Sequence, residues 1–491
     1  MRESLLNQFT NRYIADLHGN SRRKDTAPDG SPDENVFDIQ QGITISLWVG
    51  CPWKLAQPLK FGEFWGARDE KYKVLANGKV FSPNSIEFKP VSPQFFFIPQ
   101  DTSLRGEYES WIPLTKVFSV IGSGLNTDRD ELCIDFEKGR LAERMRRVFS
   151  GKIDEEFCQT FNFRPSSSYD PVSLAKKQTF DSKAFQICIY RPFDFRHIYY
   201  KVGFTSRPVF DVQGHLLYPN LGLLVCRQTK EPFAVLATRH ISTHKIVAVY
   251  DRTSLVPLWL YGNDSGPQQS LIGRGGRVPG FTTEFSKILA QRLQLNRTEY
   301  GLPRGITPED IFHYAYAVFH SPGYRTRYAE FLKIDFPRLP LTSSLDLFRA
   351  LARLGGELVA LHLMESPKLN KPIAKWRGAT PSGEIEKITC ADGTVWIDKT
   401  LTEGFRGVPE AVWNFHIGGY QVCEKWLKDR RGRVLSAEDI AHYQKIVVAL
   451  NETIRLMAEI DEAIEAHGGW PGAFVTDKAP SPKEEPIRPL F

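Results

Sequence analysis

Three short stretches hold the residue types from which active sites are usually built. In "FSVIGSGLNTDRDELCIDFE" (118–137) an apolar run leads to Gly122 and Gly124 and on to Asp135, the order of a nucleoside-binding loop and its ribose-binding acid. Such a unit fits a whole helix between glycines and acid, so the acid stands about 20 residues on. The stretch is far too short for that, and a tight turn is expected. "IGRGGRVPG" (272–280) carries Arg274 and Arg277 among glycines, with no Gly-Lys-Ser/Thr and no helix start. It reads as a surface loop able to touch phosphates. "HISTH" sets His240 and His244 four apart, a spacing that aligns two metal ligands on a helix. Its β-branched residues lie among strands, where such positions stand apart, so no metal site is expected. The seven cysteines are scattered without a CxxC pair, which favours free buried thiols over disulfides or zinc. No GxSxG or HExxH occurs. By its own residues the chain shows no complete catalytic machine.

Its charge points elsewhere. Between Phe185 and Lys245 there are eight Lys/Arg against three acids, a net +5 that leaves only +1 of the total +6 for the remaining chain. Four histidines and the aromatics Phe193, Phe195, Tyr199 and Tyr200 are interleaved with them. Clustered cations suit phosphates, and arginines with aromatics suit bases, so a polyanion partner is one reading. Ordinary solvated strand edges are the other.

These residues need elements to hold them. At 491 residues the chain suggests two or three domains, and its composition is that of a globular protein. No apolar run is long enough for a bilayer and no signal peptide is evident, so no membrane association and a cytoplasmic setting are expected. Residues 1–118 read as strands and loops with a helix near 68–79. The stretch 33–50, "DENVFDIQQGITISLWVG", sets an isolated Phe37 at the mouth of a strand after a long charged loop. Strands at "AFQICIYRPF", "LGLLVCR", "FAVLAT" and "KIVAVY" come next. The first clear helix opens at Thr307, where "TPED" offers an N-cap, a first-turn proline and Asp310 for a capping box. Further helices are expected at "YRTRYAEFLK" and "LDLFRALARLGGELVALHLM", then a strand insert with an "ADG" turn. The last helix is capped by Ser436 and Asp439 and carries Ile440, Tyr443, Val447, Leu450, Ile454 and Met457 at helical spacing.

Several blocks, among them "DLHGN", "DENVFDIQQGITI", "RDEKYKVL", "GLNTDRDEL", "YRPFDFRHIYY", "TPEDIFHYAYAVFHSPGYRTRYAEFLKIDFPRLPL" and "VWNFHIGGYQVCEKWLKDRRGR", run in order over nearly the whole chain. Together they resemble the adenine-N6 methyltransferase and specificity portion of single-chain, translocating Type ISP restriction-modification enzymes. The resemblance implies a mixed α/β fold. Residues 1–118 are expected to be the closing part of a Rossmann-like methyltransferase sheet, and 119–366 a target-recognition domain, strand-rich and then helical. A strand insert and helices over 367–470 complete it, before a disordered tail at 471–491. Family members bind S-adenosylmethionine with an FxGxG-type motif and position the target amine with Asn/Asp-Pro-Pro-Tyr. Neither motif occurs here, and the resemblance puts both before Met1. The expected partner is double-stranded DNA, with a separate chain carrying the missing motifs as a second candidate partner. No cofactor is expected to bind this chain alone. The alternative is a stand-alone DNA-binding specificity protein without enzymatic activity.

The resemblance also nominates residues. "NVFDIQQG" corresponds to a loop walling the pocket for an extruded base, where Phe37 would stack on adenine while Arg22, Arg23 and Lys24 reach phosphates. Against this, Phe37 could pack under the sheet edge. In "YRPFDFRHIYY", Arg191, Asp194 and Arg196 could form a buried ion-pair turn, or an arginine could grip guanine or phosphate. Asp194 favours the structural role for at least one arginine. Arg227, Arg239, Arg274, Arg277, Lys428, Arg430 and Arg431 complete the DNA-binding candidates, the last three at a helix end whose dipole favours cations in any case.

Overall fold

In "NRYIAD" Ile14 and Ala15 are buried, and this strand, Asn11–Asp16, is the centre of the first of two units. The computed structural model describes residues 1–21, 26–51, 53–77, 85–92, 95–101, 103–262, 276–298 and 301–474. The units are Met1–Ser103 and Leu104–Phe491. In the first, Asn11–Asp16 pairs antiparallel with Thr44–Val49 and parallel with Leu59–Glu63, which pairs antiparallel with Ile86–Phe88. Ile14, Leu59 and Phe61 form its small core. The helix expected near 68–79 spans Arg68–Ala76.

The second unit builds several small mixed sheets against long helices. One sheet orders Val235–Thr238, Gly222–Cys226, Thr253–Pro257 and Gly122–Ser123, all antiparallel. Another centres on the hairpin of Phe185–Arg191 with Asp194–Tyr199, flanked by Ile241–Ser242 and Ile134–Asp135. The "ADG" turn joins Thr389–Ala391 to Thr394–Trp396 as expected. The boundary expected near 118 lies inside this unit, because Leu114, Val117 and Phe118 belong to its main core. "KIVAVY" is not a strand. Ile246, Val247 and Ala248 are buried in a loop whose amides at 246 and 247 donate to the Thr253 hydroxyl, while Val249 donates to Glu231.

Three helices dominate. Pro308–His320 and Ala437–Glu465 start at the expected capping boxes, Thr307 with Asp310 and Ser436 with Asp439. Leu345–His362 packs against both. At its crossing with 308–320, a Cβ on Gly355 would lie 1.9 Å from the His313 carbonyl oxygen, so the helices touch backbone to backbone. A buried polar chain ties them together. The Ala237 amide donates to the Tyr316 hydroxyl (3.1 Å), which donates to His362 Nδ1 (2.5 Å). His362 Nε2 donates to Thr453 Oγ1 (2.8 Å), and Thr453 donates to the Ala449 carbonyl (2.7 Å). Burial drives the His362 pKa down to about 3, so the ring is neutral and takes the tautomer this chain of donors requires.

Thr307 is not the first clear helix start, since Lys138–Ser150 precedes it, burying Leu141, Met145 and Val148. "YRTRYAEFLK" gives two short helices, Pro322–Arg327 and Ala329–Leu332. The cysteines are free, as expected, and Cys133, Cys188, Cys226 and Cys423 are buried. Of the tail expected to be disordered, residues 475–491 lie outside the described residues, whereas Phe474 is buried against Trp470 (ring centroids 4.4 Å). No described helix is long and apolar enough to cross a membrane.

Candidate nucleic-acid interface

In the first unit, the loop carrying Phe37 is held by its backbone. Lys71, from the 68–76 helix, buries its ammonium against Asp33 (2.6 Å) and donates to the carbonyls of Leu17 and Glu34, both at 2.7 Å. Asp33 also accepts the amides of Gly19 (2.6 Å) and Gly66 (2.8 Å), so the buried pair is fully satisfied. Arg68 donates to the Asn35 carbonyl (2.7 Å) and pairs with Asp38 (2.9 Å), and the Tyr72 hydroxyl donates to the Val36 carbonyl. The blocks "DENVFDIQQG" and "RDEKYKVL" thus form one structure. Its carbonyls face the helix, and the Phe37 ring is left 55% exposed beside an open cavity of about 660 Å³. Packing under the sheet edge is therefore excluded for Phe37. Arg22, Arg23 and Lys24 lie outside the described residues.

In the second unit, "YRPFDFRHIYY" makes a hairpin whose turn holds Phe193 at φ 58°, a left-handed conformation costing a side-chain residue about 1–3 kcal/mol. Full burial of its ring, and a bond from His442 Nε2 to its carbonyl (2.8 Å), offset that cost. The next residue, Asp194, is 1% exposed and takes Arg196 on one oxygen (2.7 Å) and Arg430 on the other (2.9 Å). Burial would raise this carboxyl, but the Arg430 and Arg196 guanidiniums hold it below its ordinary value. Arg430 lies 3.5 Å over Trp426 and Arg196 3.9 Å over Tyr190. Two residues expected to reach DNA are thus the buried counter-ions of one carboxylate. Arg191 stacks on Tyr190 (4.1 Å) and donates to its carbonyl (2.6 Å).

Two other candidates converge. Arg239 and Arg277 line one groove of about 310 Å³ with Trp259, Glu309, His313 and Glu365. The exposed Arg277, on the antiparallel ribbon of Trp259–Tyr261 with Arg277–Pro279, lies 4.1 Å over the Trp259 ring. The Trp259 indole donates to Glu309 (3.0 Å), and Arg239 grips Glu365 with two bonds (2.5 and 3.0 Å). Tyr218, exposed, stacks on Tyr261 (4.8 Å) on the same ribbon. The groove offers guanidinium donors, carboxylate acceptors and aromatic faces on adjoining walls.

The remaining cations scatter. Arg227 pairs with Asp335 (2.9 Å) and Lys428 with Glu424 (2.8 Å), both exposed; Arg431 is exposed; Arg274 lies outside the described residues. The cationic, aromatic window 185–245 is not one continuous face, because Phe193, Tyr199 and Tyr200 are core residues and several arginines meet carboxylates. Gly122 and Gly124 serve close packing: added Cβ atoms would lie 2.5 Å from Val212 and 2.2 Å from the Thr243 carbonyl. Both glycines thus let neighbouring elements approach closely at this point of the fold. Among the described residues no cluster could hold a metal ion, and His244 Nδ1 lies 3.1 Å from the Leu125 carbonyl.

This architecture is a shared one. The family model described as the Type ISP C-terminal specificity domain matches residues 116–459. The chain belongs to that family. Its fold is similar to that of the ATP-dependent Type ISP restriction-modification enzyme LlaBIII bound to DNA, with a TM-score of 0.73 and 19% identity over 94% of this chain and 31% of that one. A nuclease-deletion mutant of the Type ISP enzyme LlaGI in complex with a DNA substrate mimic gives 0.68 at 18% identity, covering 93% and 37%. DrdV in its DNA complex gives 0.72 at 19%, covering 93% and 48%. The chain thus spans less than half the length of each of these proteins. No curated protein matches significantly.

Proposed function

We propose that this chain is the sequence-reading part of a restriction-modification enzyme and binds double-stranded DNA, in a cytoplasmic setting, through the groove at Trp259. The observation that carries this is the meeting of Arg239, Glu309 and Glu365 in one groove with Arg277, which lies over the Trp259 ring. Arginine forks match guanine O6 and N7, and carboxylates match cytosine N4, so the groove suits base edges better than a run of phosphates. Family membership and the DNA-bound states named for LlaBIII, LlaGI and DrdV support the reading.

The first unit then serves the methyl-transfer half. Among the described residues its packed cluster centres on Ile14, Leu59 and Phe61, and its outer strand leaves Ile45, Leu47 and Val49 exposed, a face that a larger methyltransferase sheet would cover. Phe37 would stack on the extruded adenine, while S-adenosylmethionine is held by motifs outside this sequence, on the same polypeptide or on a separate chain. The test is a binding titration of the full chain against randomised duplexes. Arg277→Ala is expected to relax base preference at one position, costing about 1–3 kcal/mol there, with little loss of non-specific affinity. Equal loss on all sequences would overturn base reading at this groove.

A further inference from the structure

A second cavity, of about 580 Å³, opens between the loop after Gly222–Cys226 and the short helices of 322–332. It is lined by Lys230, Glu231, Phe233, Arg325, Lys333 and His416 among others. Arg325 is its unusual member. The side chain is half-buried, burial pulls its pKa down to about 10, and among the described residues no carboxylate pairs with it. Its Nε donates to the Phe319 carbonyl (2.7 Å), which caps the end of the 308–320 helix. That bond uses one of five guanidinium N–H groups. A half-buried guanidinium without a carboxylate partner keeps its remaining donors able to take an anion.

The rest of the lining agrees. Lys230 and Lys333 line the cavity from exposed positions, Lys333 reaching Glu330 at 2.5 Å. The one carboxylate in the lining, Glu231, already accepts the Val249 amide on Oε2 (2.7 Å). His416 turns its Nδ1 to the Asn414 carbonyl (2.7 Å). We propose that this cavity binds a phosphate group, gripped by the Arg325 fork and screened by Lys230 and Lys333. Either a backbone phosphate of duplex DNA or a free phosphate supplies that chemistry.

The test uses the full chain and inorganic phosphate. Its thermal midpoint is measured in phosphate and in chloride at equal ionic strength, for the wild type, for Arg325→Ala and for the double variant Lys230→Ala/Lys333→Ala. Phosphate salts stabilise folded proteins generally, but that effect is common to all three chains. The expected result is a phosphate increment of several degrees in the wild type that is largely lost in both variants. Should Arg325→Ala not fold, the exposed lysine variant carries the comparison alone. The salt dependence of duplex binding then separates the sources. A slope smaller by about two in the double variant assigns the site to the DNA backbone, and an unchanged slope assigns it to free phosphate. Equal phosphate increments in wild type and variants would overturn the proposal whatever the slope does. Because the first readout contains no DNA, its failure is distinct from failure of the sequence-reading function.

Discussion

Asp194 shows how one residue can decide the roles of two others. With the carboxylate in place, Arg196 and Arg430 are neutralised inside the second unit; without it both guanidiniums are stranded. Asp194→Asn is expected to destabilise the protein by about 3–5 kcal/mol, read as a lower denaturation midpoint. The pH dependence follows from the direction of the shift. A carboxyl held below its ordinary value stabilises the fold above its unfolded pKa of about 3.9 and loses that contribution as pH falls through the folded value. The stability gap between wild type and variant should therefore narrow only below about pH 4; a gap already closing at pH 6 would contradict the ion triad. Asp194 beside two arginines hinted at this in the sequence. Arg430 did not, because no local pattern reports a partner 236 positions away. Phe37 was legible in the same limited way: its block stood out, but only the grip of Arg68, Lys71 and Tyr72 explains its exposed ring. In an intact enzyme bearing this segment, Phe37→Ala should slow methyl transfer while duplex affinity stays unchanged; unaltered turnover would remove the stacking role.

At the scale of elements, what the sequence made visible was what local chemistry specifies. The 308–320 and 437–465 helices announce themselves through capping boxes that satisfy their first amides. The 138–150 helix went unread although Leu141, Met145 and Val148 recur at helical spacing, because no side chain caps its start at Glu137. Two-residue strands such as Gly122–Ser123 and Ile241–Ser242 have no period to detect and exist only through distant partners. "KIVAVY" failed for the opposite reason: a strand-like composition was overridden when Thr253 and Glu231 took its amides. Gly355 makes the packing testable. Its missing side chain lets the 345–362 helix meet the His313 carbonyl, so Gly355→Ala must push two helices apart. Higher helix propensity favours alanine by up to about 1 kcal/mol, yet overpacking against backbone costs about 1–3 kcal/mol or more. Net destabilisation is expected, with an accompanying loss of protection in amide exchange along both helices. A more stable variant would mean that the crossing yields easily.

For the whole molecule the question is how much of its charge is free to meet a polyanion. If all eight Lys/Arg of the 185–245 window contacted phosphates, the logarithm of duplex affinity would fall against the logarithm of salt with a slope near −7, at about 0.9 per contact. Folding prevents that. Arg196 is spent on Asp194, and Arg227 and Arg239 meet Asp335 and Glu365, so the cluster that looked continuous along the chain is divided among ion pairs. An exposed pair can be exchanged for a phosphate at little cost, since such pairs contribute only about 0–1 kcal/mol, whereas the buried one cannot. The slope for the full chain should accordingly be clearly shallower than −7. Arg227→Ala is expected to reduce it by about one if that arginine trades Asp335 for DNA. Arg196→Lys, which keeps the charge but loses the fork, should leave the slope unchanged and lower the unfolding midpoint instead. Fluorescence anisotropy over a salt series, with thermal unfolding of the same samples, measures both. A slope near −7, or one that Arg196→Lys diminishes without loss of stability, would mean that the ion triad opens to the duplex and that the window acts as the single cationic face its sequence suggested.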